Sequence, residues 1–280
     1  MRVGDYDVRG VHAGEFALDG GAMFGIVPQA LWKKRNPPDE KNRIALALRS
    51  MLIRGGERTI LVDTGVGKKF SEKLQEIYRI RHDRFDLEKS LRAEGVLPED
   101  VTDVVISHLH FDHAGGATVR EGETLRPTFP RATYHVQKEN WEAANEAHEL
   151  ERRSYLPENF APLQDAGQLQ LHEGADEIAP GVELVPSTGH TPGMHLVKVQ
   201  GGGDVVLFCA DLIPTASHVR IPFIMAYDLY PATIVEEKKK VLSQAVDEDW
   251  TLYFYHDPMI AASKVVREKD GFSPGEEVEV

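Results

Sequence analysis

One cysteine, Cys209, stands among 280 residues, which excludes an intrachain disulfide, fits a reducing compartment and leaves the thiol as core filler. Long apolar runs are missing as well. No stretch approaches the ~20 apolar residues needed to cross a bilayer, and the opening MRVGDYDVRG has no apolar signal-peptide core. A cytoplasmic protein with no membrane partner is expected. Net positive charge is also absent. With 32 Lys and Arg against 45 Asp and Glu, the formal charge of −13 would repel a phosphate backbone, and no basic stripe compensates. Nucleic acid is not an expected partner, and Lys33-Lys34-Arg35 and Lys238-Lys239-Lys240 read as solvated surface. Linkers, low-complexity tracts and internal repeats are lacking, so one α/β domain over residues 1–280 is expected.

Several apolar runs are present, and they end abruptly in polar residues: Thr59 to Asp63, Val104 to His108, Val205 to Asp211 and Leu252 to His256. Each reads as a buried strand. Val182 to His190 behaves similarly, with Pro186 and Gly189 turning the chain out before the histidine. Side chains able to bind metal thus gather at the carboxyl ends of strands, where α/β folds place ligands. Lys138 to Arg153 and Thr233 to Val246 carry an apolar stripe and a charged face, and predict helices outside mixed sheets. Ala22 to Arg43, with three prolines and no stable period, precedes a strand near Ile44 to Ile53. A long ordered loop of this kind predicts a lid, a dimer contact or plain surface.

The segment Ser107 to Gly116, SHLHFDHAGG, places His108, His110, Asp112 and His113 just after a strand. Four such groups so close imply metal, because imidazole and carboxylate suit zinc and other first-row divalent ions. Gly115 and Gly116 allow a tight backbone turn beneath them. Most of the 12 histidines have no such claim: His12, His82, His135, His148 and His172 lack a motif. His195 and His218 are candidates only for a place behind the ligands or in the pocket.

This segment resembles the HxHxDH signature of the metallo-β-lactamase superfamily, and the likeness continues in order. Gly189-His190-Thr191-Pro192-Gly193 resembles the second histidine motif, Asp211 the bridging aspartate, His256 the last ligand, and Val62-Asp63-Thr64-Gly65 the early LVDTG turn. The resemblance implies a four-layer αββα sandwich with two divalent metal ions. His108, His110 and His190 would hold one ion, Asp112, His113 and His256 the other, and Asp211 would bridge them. Asp63 would orient a histidine ligand through its second nitrogen. Zinc is the expected metal, with manganese, cobalt and iron as alternatives.

Two such ions make hydroxide available near neutral pH and polarise a carbonyl or phosphoryl oxygen. Asp112 would bind metal and could also move a proton. The stretches Gly21 to Pro28, Ala210 to Thr215 and Met225 to Pro231 resemble the YtnP-like branch of probable quorum-quenching lactonases, which is similar to methyl parathion hydrolases. A small-molecule ester or lactone, specifically an N-acyl homoserine lactone, is the expected substrate. Well-studied acyl-homoserine lactonases carry a tyrosine three residues after the bridging aspartate, where this chain has Pro214. Phe24, Trp32, Phe223, Met225 and Tyr227 are candidates to line an apolar pocket. The alternatives are a phosphotriester or aryl-ester hydrolase and a glyoxalase II-like thioesterase. Outside hydrolysis stand an iron-dependent oxidoreductase and a non-catalytic metal-binding protein. A homodimer is implied by relatives alone.

Overall fold

Runs of Val, Ile and Leu form the strands because β-branched and apolar side chains fit a pleated surface covered on both faces. The computed structural model describes residues 1–82 and 85–280. In chain order, the strands are β1 (Arg2–Val3), β2 (Tyr6–Asp19), β3 (Arg43–Gly55), β4 (Arg58–Val62), β5 (Asp103–Val105), β6 (Thr118–Glu121), β7 (Thr124–Pro127) and β8 (Thr133–Gln137). They continue as β9 (Leu169–His172), β10 (Asp176–Ala179), β11 (Val182–Pro186), β12 (His195–Gly201), β13 (Asp204–Phe208), β14 (Thr251–Tyr253), β15 (Ala262–Glu268) and β16 (Gly271–Val278). One sheet runs β1-β2-β3-β4-β5-β8-β9 and the other runs β10 through β16 in sequence order, while β6 and β7 form a separate hairpin. The helices are α1 (Gly20–Phe24), α2 (Gln29–Trp32), α3 (Glu72–Ile77), α4 (Leu87–Ala93), α5 (Phe111–Ala114), α6 (Lys138–Asn145), α7 (Ala161–Asp165) and α8 (Pro231–Asp247).

Alternation sorts the side chains into layers. Met51, Ile53, Val62 and Val105 of the first sheet meet Val197, Val199, Val206 and Phe208 of the second in one buried cluster. Leu61, Val104, Tyr134 and Val136 point the other way, into a cluster with Leu91 of α4 and Leu163 of α7. Helix α8 packs on the second sheet through Ile234, Leu242 and Ala245. The result is the expected αββα order.

Strands stop earlier than the apolar runs suggest: β5 ends at Val105, β13 at Phe208 and β14 at Tyr253. His108, Asp211 and His256 therefore sit on short loops just beyond the strands, where backbone freed from the ladder can turn side chains toward one point. The helix expected over Lys138 to Arg153 ends at Asn145, whose side-chain amide donates to the Trp141 carbonyl at 2.7 Å. Beyond it the chain turns so that Glu151 is buried rather than displayed on a charged face. Lys238 also departs from expectation. It lies on the buried face of α8 with Ile234 and Leu242, and is 0% exposed. Its ammonium donates to the carbonyls of Arg220 and Phe223 at 2.8 Å each and of Ile221 at 3.3 Å, which fixes the segment before α8.

The expected use of Gly115 and Gly116 is refined. A Cβ on Gly115 would meet the Val66 carbonyl oxygen at 2.2 Å, and one on Gly116 would meet the Thr64 oxygen at 2.2 Å. Close approach of two backbones requires these glycines. A Gly116→Ala variant must push the turn after β4 away from the histidine loop, which is expected to cost about 1–3 kcal/mol by overpacking. Urea unfolding checks this, and an unchanged midpoint would contradict it.

Candidate metal centre

Seven side chains from four segments converge at one edge of the sandwich: His108, His110, Asp112, His113, His190, Asp211 and His256 are all buried. The Nε2 of His190 lies 3.2 Å from Nδ1 of His110, and Nε2 of His256 lies 3.3 Å from Nε2 of His113. Ligand atoms around a tetrahedral zinc with ~2.0–2.1 Å bonds sit about 3.3 Å apart, and these spacings match that edge length. The atoms of His108, His110 and His190 fall within 4.8 Å of one another, as do those of Asp112, His113 and His256.

Asp211 joins the two sets, one oxygen to each. Its Oδ2 lies 3.3 Å from His190 and 4.0 Å from His108, while Oδ1 lies 3.3 Å from His256 and 3.4 Å from His113. Among the described residues, His108 Nε2 and Asp211 Oδ1 are buried with no hydrogen-bond partner. Buried polar atoms left unsatisfied are costly, and a cation would satisfy both. The donor set therefore fits two divalent ions.

Each imidazole is oriented through its outward nitrogen. Asp63 accepts from His113 Nδ1 at 2.8 Å, the backbone N–H of Ser107 at 2.7 Å and the Ser107 hydroxyl at 2.8 Å. Asp228 faces His190 Nδ1 at 2.9 Å, Glu151 faces His110 Nε2 at 3.3 Å, and the Ala47 carbonyl accepts from His256 Nδ1 at 2.9 Å. His108 Nδ1 meets the Ser107 hydroxyl at 3.1 Å. Tyr255 donates to the Asp112 carbonyl at 2.7 Å and accepts from Gly65 N–H at 3.1 Å, tying two loops together. Asp228, Glu151 and Tyr255 escape sequence reasoning. Asp228 lies within the Met225 to Pro231 stretch already singled out, but a lone carboxylate has no spacing signature.

Charge balance follows from this packing. Burial alone would raise the Asp211 carboxyl, but the imidazoles of His113, His256 and His190 outweigh it and hold it well below the carboxylate range. Burial would lower His113 and His190, yet Asp211, with Asp112 and Asp63 for His113 and Asp228 for His190, lifts both above the ordinary imidazole value. His108 is pushed well below that value by burial, with His113 and His110 adding to the effect.

The cleft over the ligands encloses about 190 Å³. Met225 and Tyr227 line it, as does Met23 from the Ala22 to Arg43 segment, together with Leu18, Tyr78 and Phe111. The remaining pocket candidates lie elsewhere. Phe24 stacks on Trp32 at 5.3 Å and on His218 at 4.8 Å, and meets Phe223 edge-on at 5.9 Å. This aromatic group is packing behind the wall, favoured because large rings bury much area. His218 is held by Thr215 and the Met23 carbonyl, outside the cleft.

His195 is also outside, 0% exposed between the sheets with both ring nitrogens unpartnered. Burial, reinforced by His172 and His135, pulls it down to about 3. A depressed histidine value means the unfolded chain binds the extra proton first, so stability falls as pH drops from about 6.5 toward 3. At pH ~4 the loss amounts to about 3 kcal/mol. His195→Leu is therefore expected to move the acid-unfolding midpoint to lower pH, read by circular dichroism. A midpoint at the same or higher pH would contradict this.

Known proteins share the fold. A structure of a probable metal-dependent hydrolase from Staphylococcus aureus superposes with a TM-score of 0.91 at 28% identity, covering 100% of this chain and 99% of that one. AidC, a dizinc quorum-quenching lactonase solved with its product N-hexanoyl-L-homoserine, shares the fold at a TM-score of 0.81 and 21% identity, over 100% and 97% of the two chains. An N-acyl homoserine lactonase of Bacillus thuringiensis is 28% identical over 170 residues, 60% of each chain. Another, from a Bacillus species, is 34% identical over 120 residues, 42% of this chain and 41% of its own length. The matched region thus spans 60% and 41% of these lactonases, less than two thirds of either. No helix among the described residues is long and apolar enough to cross a membrane. The model described as the metallo-beta-lactamase superfamily matches residues 48–256, three quarters of the sequence, and the chain belongs to that superfamily.

Proposed function

We propose that the protein is a dinuclear metal-dependent hydrolase of lactones or esters, with N-acyl homoserine lactones as the leading substrates. The observation that carries the reading is Asp211, whose two oxygens face separate trios of ligands. His108, His110 and His190 would hold one ion, and Asp112, His113 and His256 the other. Two divalent ions in such a site supply an activated water near neutral pH and polarise a carbonyl oxygen. Zinc suits this donor set, as do manganese, cobalt and iron. The relatives named N-acyl homoserine lactonase and the dizinc lactonase neighbour support the substrate class.

The chain's own groups would divide the remaining work. Asp112, buried and lining the cleft, would take a proton from water and pass it toward the leaving oxygen. Leu18, Met23, Phe111 and Met225 offer an apolar wall for an acyl chain. Pro214 stands where those lactonases have a tyrosine, and Tyr78 and Tyr227, which line the cleft, would supply a phenol in its place. Pro214 instead accepts from the His256 N–H at 2.9 Å, which holds the last ligand loop.

Metal analysis followed by kcat/KM on a lactone, an aryl ester, a phosphotriester and a glutathione thioester tests the proposal. The lactone is expected to be turned over best. Faster thioester turnover than that of every lactone would overturn it, and fully loaded protein inactive on all four would point to a non-catalytic metal-binding protein.

A further inference from the structure

A second cavity, of about 280 Å³, lies between α4, the turn after β4 and the β6–β7 hairpin. That volume sits at the lower edge of the ~300–1,000 Å³ typical of small-molecule sites. Its lining shares no residue with that of the metal cleft. Ala13, Leu87, Leu91, Val119 and Phe129 give it an apolar wall.

Lys69 is the exception in that wall. Its ammonium donates to the carbonyls of Gly115 and of Thr118, the latter at 2.8 Å. An ammonium has three N–H donors, and among the described residues no carboxylate pairs with this one. The other charges at the cavity are matched. Lys68 pairs with Asp86, Arg120 with Glu158 at 2.9 Å, and Glu88 with Arg92 at 2.9 Å. Burial pulls Lys69 down only to about 8, so it stays cationic at neutral pH. A cation with one N–H left over beside an apolar wall favours an anion that also buries hydrocarbon.

We propose that this cavity binds a medium-length aliphatic carboxylate, with its head group on Lys69 and its tail along Leu91, Val119 and Phe129. The floor of the cavity includes Thr64 and Gly116. Thr64 donates through both its N–H and its hydroxyl to the His113 carbonyl, each at 2.8 Å. An occupant would therefore press on the back of the loop that carries His113, without entering the cleft.

Calorimetric titration of octanoate into the metal-loaded protein tests this. Saturable binding is expected, weakened by about tenfold or more in Lys69→Met, because a hydrogen bond to a charged group contributes about 1.5–3 kcal/mol. Octanol, which keeps the tail and lacks the charge, is expected to bind wild-type protein weaker by a similar factor. Leu91→Trp, which fills the chamber, should also weaken octanoate, and Val119→Phe serves if the tryptophan variant does not fold. No saturable heat would overturn the proposal. So would octanoate affinity unchanged in Lys69→Met, which would place the carboxylate at the metals, or inorganic phosphate binding as tightly as octanoate.

Discussion

Asp211→Ala is expected to empty at least one of the two metal positions and to lower kcat/KM by more than ~100-fold, since losing only a supporting partner of a ligand costs 10–100-fold. The argument rests on its two oxygens. Oδ1 lies 3.3 Å from His256 and Oδ2 lies 3.3 Å from His190, so one truncation removes an anion from both trios. Four buried imidazoles would then face one another with Asp112 alone, 3.5 Å from His256, as the anion left among the ligands. The metal-free protein should respond as well. Burial lowers His113 and His190, and they lie above the ordinary imidazole value because Asp211, together with Asp112 and Asp63 for the first and Asp228 for the second, outweighs it. Groups raised in this way contribute stability below their unfolded value and lose it as pH rises through the folded one. Metal-free Asp211→Ala should therefore be destabilised most at mildly acidic pH, where wild type has its imidazolium–carboxylate contacts in full. Metal stoichiometry, steady-state rates and urea unfolding at two pH values read the three effects. Retention of two ions and full activity would remove the basis of the dinuclear reading.

What could be read in the sequence was what local spacing carries. Ser107 to Gly116 puts four ligand-type side chains on one turn, and no fold prediction is needed to see that they cluster. Apolar runs ending in His108, Asp211 and His256 gave the sheets and the edge where the site forms. The orienting partners were out of reach for a physical reason. Asp228 and Glu151 are single carboxylates among dissimilar neighbours, and only the folded chain brings them to His190 and His110. Among the aromatic candidates Tyr227 lines the cleft and Phe24 does not, because a ring that could line a pocket and one that packs behind its wall look alike in sequence. Phe24 and Trp32 proved to be the second kind. Lys238 is different, since its signal was present. It follows Ile234 by four residues and precedes Leu242 by four, the helical spacing of one buried face. The triple-lysine run hid that periodicity.

Asp63→Ala should separate the two metal positions. Asp63 is fully buried, accepts from the Ser107 N–H, the Ser107 hydroxyl and His113 Nδ1, and itself sits at φ 58. Aspartate tolerates that left-handed backbone better than alanine does. Truncation leaves buried donors without an acceptor, at about 1–3 kcal/mol each, so unfolding should shift substantially. The effect on metal should be uneven. His113 loses the partner that fixes its ring and raises its basicity, so affinity at the position shared with Asp112 and His256 should fall by about 10–100-fold. His190 and His110 keep Asp228 and Glu151, so their position should be much less affected. Asp63→Asn, which keeps an acceptor for the Ser107 N–H and suits the backbone, should recover most of the stability and little of the lost affinity. Competition of the metal-loaded variants with a chelator would show one weak and one tight ion per chain. Equal weakening of both, or of neither, would mean that Asp63 supports the loop as a whole and does not act through His113.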